Sequence, residues 1–347
     1  MSDSWLKSSF RSRNGLLQWL SLGVALAFVV WIILTRREDL VAVLKLTPQL
    51  FALISVSSLL TFAVNGIELK VLAGRFGSRI GFGDSLLLGL MVSTLNYLPM
   101  KTGTMLNGAL LKVRHKVSLA HFAALVAGSS VIHLWVALVL AGVVLVGQGN
   151  DPLLAWSFVL VPTAVVIGLI VWGRTRREGK LDEHSSKLLR VAGRAVDGMG
   201  LIFSSHRLLA IEIVLNVTLI VLASLRTMWG FQALSSNAGF ADALVVTAVG
   251  IFAARLSVIP GGIGFREGGS AAGAALAGIP AGLGLAASVI DRAVTLVWLL
   301  LLGVPAAVYL QRVTGIDLLQ AQQMRGASED DAPATEGAPA TPKTEDE

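Results

Sequence analysis

The sequence predicts an all-α polytopic membrane protein. Of its 347 residues, 54% are hydrophobic and 14% are charged, whereas soluble domains carry about 25% charged residues. The mean hydropathy is +0.73, and 36 Gly are spread through the apolar segments, as is usual in membrane helices. These observations exclude a soluble enzyme. The chain has no Cys, which excludes a disulfide framework and any metal centre held by Cys.

Six apolar segments have the length, about 20 residues, that a helix needs to cross a bilayer. They are 16–34, 50–71, 119–146, 153–172, 208–229 and 283–310. The first segment is long for a signal peptide, has no A-x-A cleavage site and is followed at once by Arg36 and Arg37. We therefore expect it to remain as a membrane helix.

Two further apolar segments are too short to cross. Segment 84–98 stops at Pro99, and the second short segment, 242–259, stops at Pro260. Gly-rich sequence and another short stretch follow each of them, at 104–111 and 268–277. Because proline interrupts a helix, we interpret each pair as a broken or re-entrant hairpin. The prediction is about six full spans plus two Pro/Gly hairpins, which makes eight helical membrane segments.

The distribution of Lys and Arg predicts the topology. The connector 173–207 contains eight Lys or Arg against four acids, and the positive-inside rule places such a loop in the cytoplasm. The loops 147–152 and 230–241 contain no Lys or Arg and are expected on the opposite face. We therefore expect a multi-pass protein of the cell inner membrane.

Both termini are expected in the cytoplasm. Residues 1–15 precede the first span, and the tail 313–347 holds eight acids, two basic residues and no aromatics. Such a tail cannot bury enough apolar area to order itself, so we expect it to be disordered. Three basic residues run against the scheme by falling on the outer side, namely Arg36, Arg37 and Lys45.

An internal repeat divides the membrane region. Gly-Phe-x-Asp occurs at 81–84 and at 239–242, and each copy precedes an apolar run that ends in Pro-x-x-x-Gly. A helix N-cap explains each Asp, but it does not explain the shared order of the whole string. In the predicted topology the first half, 16–146, begins on the cytoplasmic side and the second half, 147–312, begins on the outer side. The two halves therefore form an inverted repeat. Inverted repeats with interrupted helices are typical of secondary transporters.

The second Pro/Gly break carries the most informative string, Pro-Gly-Gly-Ile-Gly-Phe-Arg-Glu at 260–267. Its glycines permit backbone geometry that other residues avoid. The helix that restarts after Gly264 points its N-terminal N–H groups at the break, and these groups attract anions. Arg266 adds a fork of donors suited to phosphate or carboxylate. The alternative to a ligand is an internal ion pair with Glu267 or Asp291.

Other charged residues lie at comparable depth. Asp291 and Arg292 are about 14 Å into the last span at 1.5 Å per residue, and Arg255 is one turn before Pro260. Charges near the bilayer centre need a purpose or a partner. They belong either to a binding site or to an ion-pair lattice that holds the broken helices together.

No catalytic, metal or cofactor site is predicted. The five His form no H-E-x-x-H or other ligand spacing, and the glycines lack the G-x-x-x-x-G-K-[ST] pattern of a nucleotide site. We expect no nucleic-acid partner.

Residues 16–312 resemble the flippase-like family named for the lysylphosphatidylglycerol synthase transmembrane region. The most specific part of the resemblance is the string at 260–267, followed by Arg292 and Trp298. A weaker part is Asn96-x-x-Pro99-x-x-x-Gly103 with the basic loop 112–116. In bifunctional members a similar module moves an aminoacylated phospholipid across the bilayer, and a cytosolic aminoacyl-transfer domain follows it. That domain is absent from this sequence, so the resemblance implies a stand-alone lipid-transport module.

The chain departs from the family pattern in its first half. Family members commonly carry an acid at the position of Thr104, and a Glu-Arg-x-x-Asp-like cluster where this chain has Ser129, Ser130 and His133.

The expected function is a flippase or scramblase-like transporter of an anionic or glycosylated lipid. Its partners are then a membrane phospholipid or a lipid-linked glycan. One alternative is an accessory subunit that presents a lipid-linked substrate to a membrane enzyme, and the other is an integral-membrane lipid transferase. The residues expected to bind the head group are Arg266, Arg292, Glu267, Asp291, Arg255, Pro260, Gly261, Gly262, Gly264, Asn96, Pro99, Lys101 and Gly103.

Overall fold

The all-α membrane class is confirmed. The computed structural model describes residues 46–74, 80–96, 102–115, 119–175, 205–256 and 264–314, together with Gly200 and Ile202. Every regular element in these residues is helical, and five helices are long and apolar enough to cross a membrane. Helices dominate because each backbone N–H and C=O finds its partner within the segment, which the bilayer interior demands. The predicted span 16–34, most of the connector and the tail after 314 lie outside the described residues.

The first half of the described chain contains two long helices around two short ones. They are α1 (Pro48–Gly74), α2 (Phe82–Leu95), α3 (Thr102–His115) and α4 (Leu119–Gly147). α2 and α3 match the two arms of the first predicted hairpin. Their break at 97–101, which includes Pro99 and Lys101, lies outside the described residues.

The second half repeats the alternation of long and short helices. Its elements are α5 (Pro152–Thr175), α6 (His206–Ala233), α7 (Phe240–Leu256), α8 (Phe265–Leu276) and α9 (Ala281–Trp298). α7 and α8 are the arms of the second predicted hairpin. Residues 257–263, with Pro260, Gly261 and Gly262, lie outside the described residues.

The last predicted span, 283–310, is not one regular α-helix. α9 continues into a π-helical segment, Leu299–Gly303, and then into α10, Val304–Thr314. The π-helical turn changes the direction in which side chains leave the helix. The π-helical segment and α10 both contact α2 of the first half.

Glycine brings the two arms of the second hairpin together. A Cβ on Gly273 of α8 would lie 2.7 Å from the Cα of Val246 on α7. A Cβ on Gly269, one turn earlier, would lie 2.8 Å from the carbonyl oxygen of Val249. Small residues allow such approach between membrane helices and provide the van der Waals contact that holds them.

α6 lies at the centre of the bundle. It contacts α1, α4, α7 and α9, whereas α5 contacts α4 and leaves a broad apolar surface exposed, including Leu160, Val161 and Val165. An exposed apolar helix suits contact with lipid. Most of the buried polar side chains lie on α1, α4, α6 and α9, and α1, α4, α6 and α7 all contribute to the wall of the candidate site.

Candidate functional site

A polar cavity of about 460 Å³ lies among the helices. α1, α4, α6, α7, α8 and the first hairpin all contribute to its wall. Its charged lining residues are Glu68, Arg226, Arg255 and Arg266. Charged side chains are costly inside a bilayer and usually line a water-filled space or pair with one another. Here they do both.

Asp291 joins two of these arginines. Its Oδ1 accepts a hydrogen bond from Nε of Arg226 at 2.5 Å, and its Oδ2 accepts one from Nη2 of Arg266. The side chain of Asp291 is 1% exposed, that of Arg226 is 7% exposed and that of Arg266 is 25% exposed. The carboxylate is therefore buried, and Arg266 is the member of this cluster that reaches furthest into open space.

Arg226 also connects α6 to α1. Its Nη1 donates to Oγ1 of Thr61 at 2.6 Å and to the backbone carbonyl of Ser57 at 3.4 Å. Together with Asp291, these contacts tie three long helices at one level. The arrangement gives a buried charge pair the additional hydrogen bonds that it requires.

Arg292 and Glu267 form a second ion pair. The Arg292 side chain is 1% exposed, and neither residue lines the cavity. Glu267 also accepts a hydrogen bond, through Oε2, from the backbone N–H of Gly264 at 2.8 Å. This carboxylate therefore caps the start of α8 and neutralises a buried arginine of α9.

The glycine turn before α8 has the geometry that the sequence suggested. Gly264 has φ of 81°, in the left-handed region that favours glycine, and it directly precedes Phe265, the first residue of α8. Its amide is bound by Glu267. In the structure, the negative group at this helix N-terminus is therefore the carboxylate of Glu267.

In the first hairpin, Asn96 links the two arms. Its Oδ1 accepts hydrogen bonds from the backbone N–H of Thr104 at 3.1 Å and from the Thr104 hydroxyl at 3.2 Å. Both residues line the cavity. Gly103 is buried, and a Cβ there would meet the carbonyl oxygen of Val92 on α2.

A second polar cluster joins α1, α4 and α6, and three of its residues, Glu68, Ser129 and His133, line the cavity. Ser129 of α4 contacts the carboxyl groups of Glu68 on α1 and Glu212 on α6. One turn further along α4, His133 Nδ1 lies 2.5 Å from Oδ1 of Asn216. We call these five residues the α1–α4–α6 cluster. It places two carboxyl groups around one hydroxyl.

Arg255 approaches this cluster from α7. Its Nη1 donates to Oγ of Ser130 at 2.9 Å. The sequence left open whether Arg255 belongs to a binding site or to an ion-pair lattice, and the structure places it on the cavity wall.

The structure brings together Arg255, Arg266 and Asn96 as predicted residues of one cavity wall. Three other predicted residues form ion pairs outside this wall. Asp291 binds Arg266, and Arg292 and Glu267 bind each other. The residues expected from the sequence to bind the head group include neither Glu212 nor Glu68. The signal that points to both is a lone acid inside an apolar span.

The fold and the cavity define an integral membrane protein with a polar site between its helices. A sequence profile described as "Lysylphosphatidylglycerol synthase TM region" matches residues 18–303. The chain therefore belongs to this family.

One curated relative is described as a "UPF0104 membrane protein" of Methanothermobacter thermautotrophicus (strain ATCC 29096 / DSM 1053 / JCM 10044 / NBRC 100330 / Delta H). It is 28% identical to this chain over 151 residues, which are 43% of this chain and 43% of the relative. The match therefore spans less than half of the length of that protein. No solved structure matches the chain.

Proposed function

We propose that this protein moves a lipid with an anionic or glycosylated head group from one leaflet of the inner membrane to the other, as a flippase or a scramblase-like transporter. A lipid can cross in this way only if its polar end finds a polar path between the helices. Its acyl chains can meanwhile stay among the apolar surfaces outside.

The observation that carries the proposal is the polar cavity within a bundle of apolar helices. Its volume of about 460 Å³ falls in the range of about 300–1,000 Å³ that small-molecule sites occupy. Placing Arg226, Arg255, Arg266 and Glu68 among the helices of a membrane protein is costly, and such residues usually mark a substrate path.

The lining fits the two chemistries of the proposed head groups. Arginine presents a planar fork of donors that matches phosphate oxygens, and three arginines line the cavity. Hydroxyl and amide groups, such as those of Ser93, Asn96 and Thr104, share the wall and are suited to bind sugar hydroxyls.

Among the arginines, Arg266 is proposed to meet the phosphate first. It is the most exposed member of the Asp291 cluster, and Asp291 holds its guanidinium at the cavity wall. Arg226 keeps Asp291 in place from the other side. In this proposal Asp291, Arg292 and Glu267 act by fixing the positions of the broken helices.

The inverted repeat belongs to the same proposal. It pairs α1 with α6, the hairpin α2–α3 with α7–α8, and α4 with α9. Two contacts support the pairing, since α6 packs on α4 as α1 packs on α9. The interrupted hairpins then meet at the cavity, where transporters with inverted repeats bind their substrates.

Purified protein in liposomes tests the proposal. Labelled anionic phospholipid should exchange between leaflets faster than in protein-free liposomes. Exchange at the protein-free rate, from protein shown to be folded, would contradict transport. Exchange that starts only when a membrane enzyme is added would favour the accessory-subunit alternative, and a covalently altered lipid would favour a transferase.

A pair of conservative variants tests the role of Arg266. R266K keeps the charge but loses the two-pronged donor geometry, so exchange should fall while the folded yield stays near that of the wild type. The matched control is R207K, which makes the same change at an exposed position near the start of α6. Equal exchange in both variants would show that phosphate is bound elsewhere.

A further inference from the structure

The carboxyl group of Glu212 is buried in a way that sets it apart from the other acids of the bundle. The residue is 0% exposed and lies two turns into α6. Its Oε1 has no hydrogen-bond partner among the described residues. Asp291, by comparison, receives an arginine on each of its two oxygens. A buried carboxylate with one bare oxygen is costly, whereas a protonated carboxyl group has no charge to solvate.

The hydroxyl of Ser129 gives an independent reason to place a proton here. Its Oγ is hydrogen-bonded to Oε1 of Glu68 and lies 3.2 Å from Oε2 of Glu212. A serine hydroxyl has one hydrogen to donate and can accept with its lone pairs. If it donates to Glu68, its contact with Glu212 is a hydrogen bond only when Glu212 carries the proton and donates it.

Among the described residues, no cation on the neighbouring helices forms an ion pair with Glu212 that could replace this proton. α1 contributes the acid Glu68, and α4 contributes His133, which is bound to Asn216. From α7, Arg255 donates a hydrogen bond to Ser130, the neighbour of Ser129 on α4. From α9, Asp291 binds Arg226, about 21 Å further along α6 at 1.5 Å per residue.

We infer that Glu212, Ser129 and Glu68 form a proton-binding site in which one proton is shared by the two carboxyl groups through the serine hydroxyl. In one state Glu212 donates to Ser129 and Ser129 donates to an ionised Glu68. In the other state the proton of Glu212 has moved to Ser129 Oγ, and the former hydroxyl proton has moved to Glu68. The net charge of the three residues is −1 in both states, and no other reactant is needed.

The location of the site gives the proton a route. Glu68 and Ser129 line the cavity, and Glu212 lies behind them. A proton that reaches Glu68 can therefore leave to water in the cavity, while Glu212 stays shielded. Acid and His chains of this kind carry protons in membrane transporters.

Coupling of this proton to lipid movement rests on the function proposed above. Arg266 and Glu68 line the same cavity. A negative head group beside the arginines would favour the form in which both Glu68 and Glu212 are protonated, because that form carries no negative charge to repel it. Lipid passage and proton exchange would then occur in the same cycle.

Infrared spectroscopy of the purified protein tests the proton site without any transport. The wild type at neutral pH should show a carboxylic-acid carbonyl band that E212Q lacks. Glutamine keeps the shape and neutrality of the protonated acid, so E212Q should fold with a yield near that of the wild type. The matched control D151N, which changes an exposed acid at the start of α5, should keep the band.

Two results would overturn the site. The first is a band that persists in E212Q, and its loss in E68Q would then assign the proton to Glu68 alone. The second is a wild type with no such band, which would mean that both carboxyl groups are ionised; stabilisation against heat by sodium ions would then show that they bind a metal cation.

Transport measurements then test the coupling separately. In liposomes with an imposed proton gradient, the wild type should exchange lipid faster than without the gradient, and E212Q should lose this acceleration. A carboxylic-acid band without any lipid exchange would leave the proton site standing and contradict the proposed function. Equal acceleration in the wild type and E212Q would contradict the coupling.

Discussion

Arg226 on α6 donates from its Nε to Oδ1 of Asp291 on α9 across 2.5 Å. Asp291 also accepts from Arg266 on α8, so one buried carboxylate unites the arm of a broken hairpin with two long helices. The contact stabilises the bundle and fixes the position of the arginine that faces the cavity.

D291N should lower stability the most among single changes in this cluster. It leaves two arginines without their carboxylate, and breaking a buried charge pair costs about 3–5 kcal/mol. R266A should cost less, because Asp291 keeps its bond to Arg226. Thermal unfolding in detergent measures the order. A lower melting temperature for R266A than for D291N would mean that Arg266, and not Asp291, holds the cluster together.

Gly273 should be intolerant of a methyl group. A Cβ there would lie 2.7 Å from the Cα of Val246, so G273A should separate α7 from α8 at a cost of about 1–3 kcal/mol. G268A is the matched control, because nothing lies within 4 Å of a Cβ at Gly268. It should be neutral or stabilise α8 by about 0.5–1 kcal/mol, since alanine favours helix over glycine. Chemical or thermal unfolding of both variants checks the difference, and equal melting temperatures would refute the packing argument.

The sequence predicts the helices well because their ends carry local signals. The apolar run 208–229 became α6, His206–Ala233, and the Pro/Gly breaks separated the arms of both hairpins. The π-helical segment at Leu299–Gly303 was not predicted, because a run of leucines has no local mark of a wider turn. The segment contacts α2, a neighbour that the local sequence does not reveal.

The site was predicted only in part, because partners on different helices carry no local signal. The alternative to a ligand for Arg266 was an ion pair with Glu267, its neighbour in sequence, or with Asp291. Consecutive residues on a helix face different directions, and the structure pairs Arg266 with Asp291 and Glu267 with Arg292. Likewise, nothing near Glu212 in the sequence indicates Ser129 or Glu68.

The topology gives a prediction that does not depend on contacts between side chains. Reporters fused at residue 190 and at residue 340 should lie on the same face of the membrane, because the positive-inside rule places the connector in the cytoplasm. A reporter inserted between residues 148 and 150 should lie on the opposite face. Opposite faces for residues 190 and 340 would refute both the hairpin scheme and the inverted repeat.

The measurement that tests the central claim most directly is blockade of the cavity. The chain has no Cys, so S93C carries a single reactive thiol on the cavity wall. The matched control V214C places the thiol on the outer surface of α6, where Val214 is 63% exposed. After reaction with a bulky thiol reagent, liposomes with S93C should lose lipid exchange and liposomes with V214C should retain it. Undiminished exchange in fully labelled S93C would show that lipid head groups do not pass through this cavity.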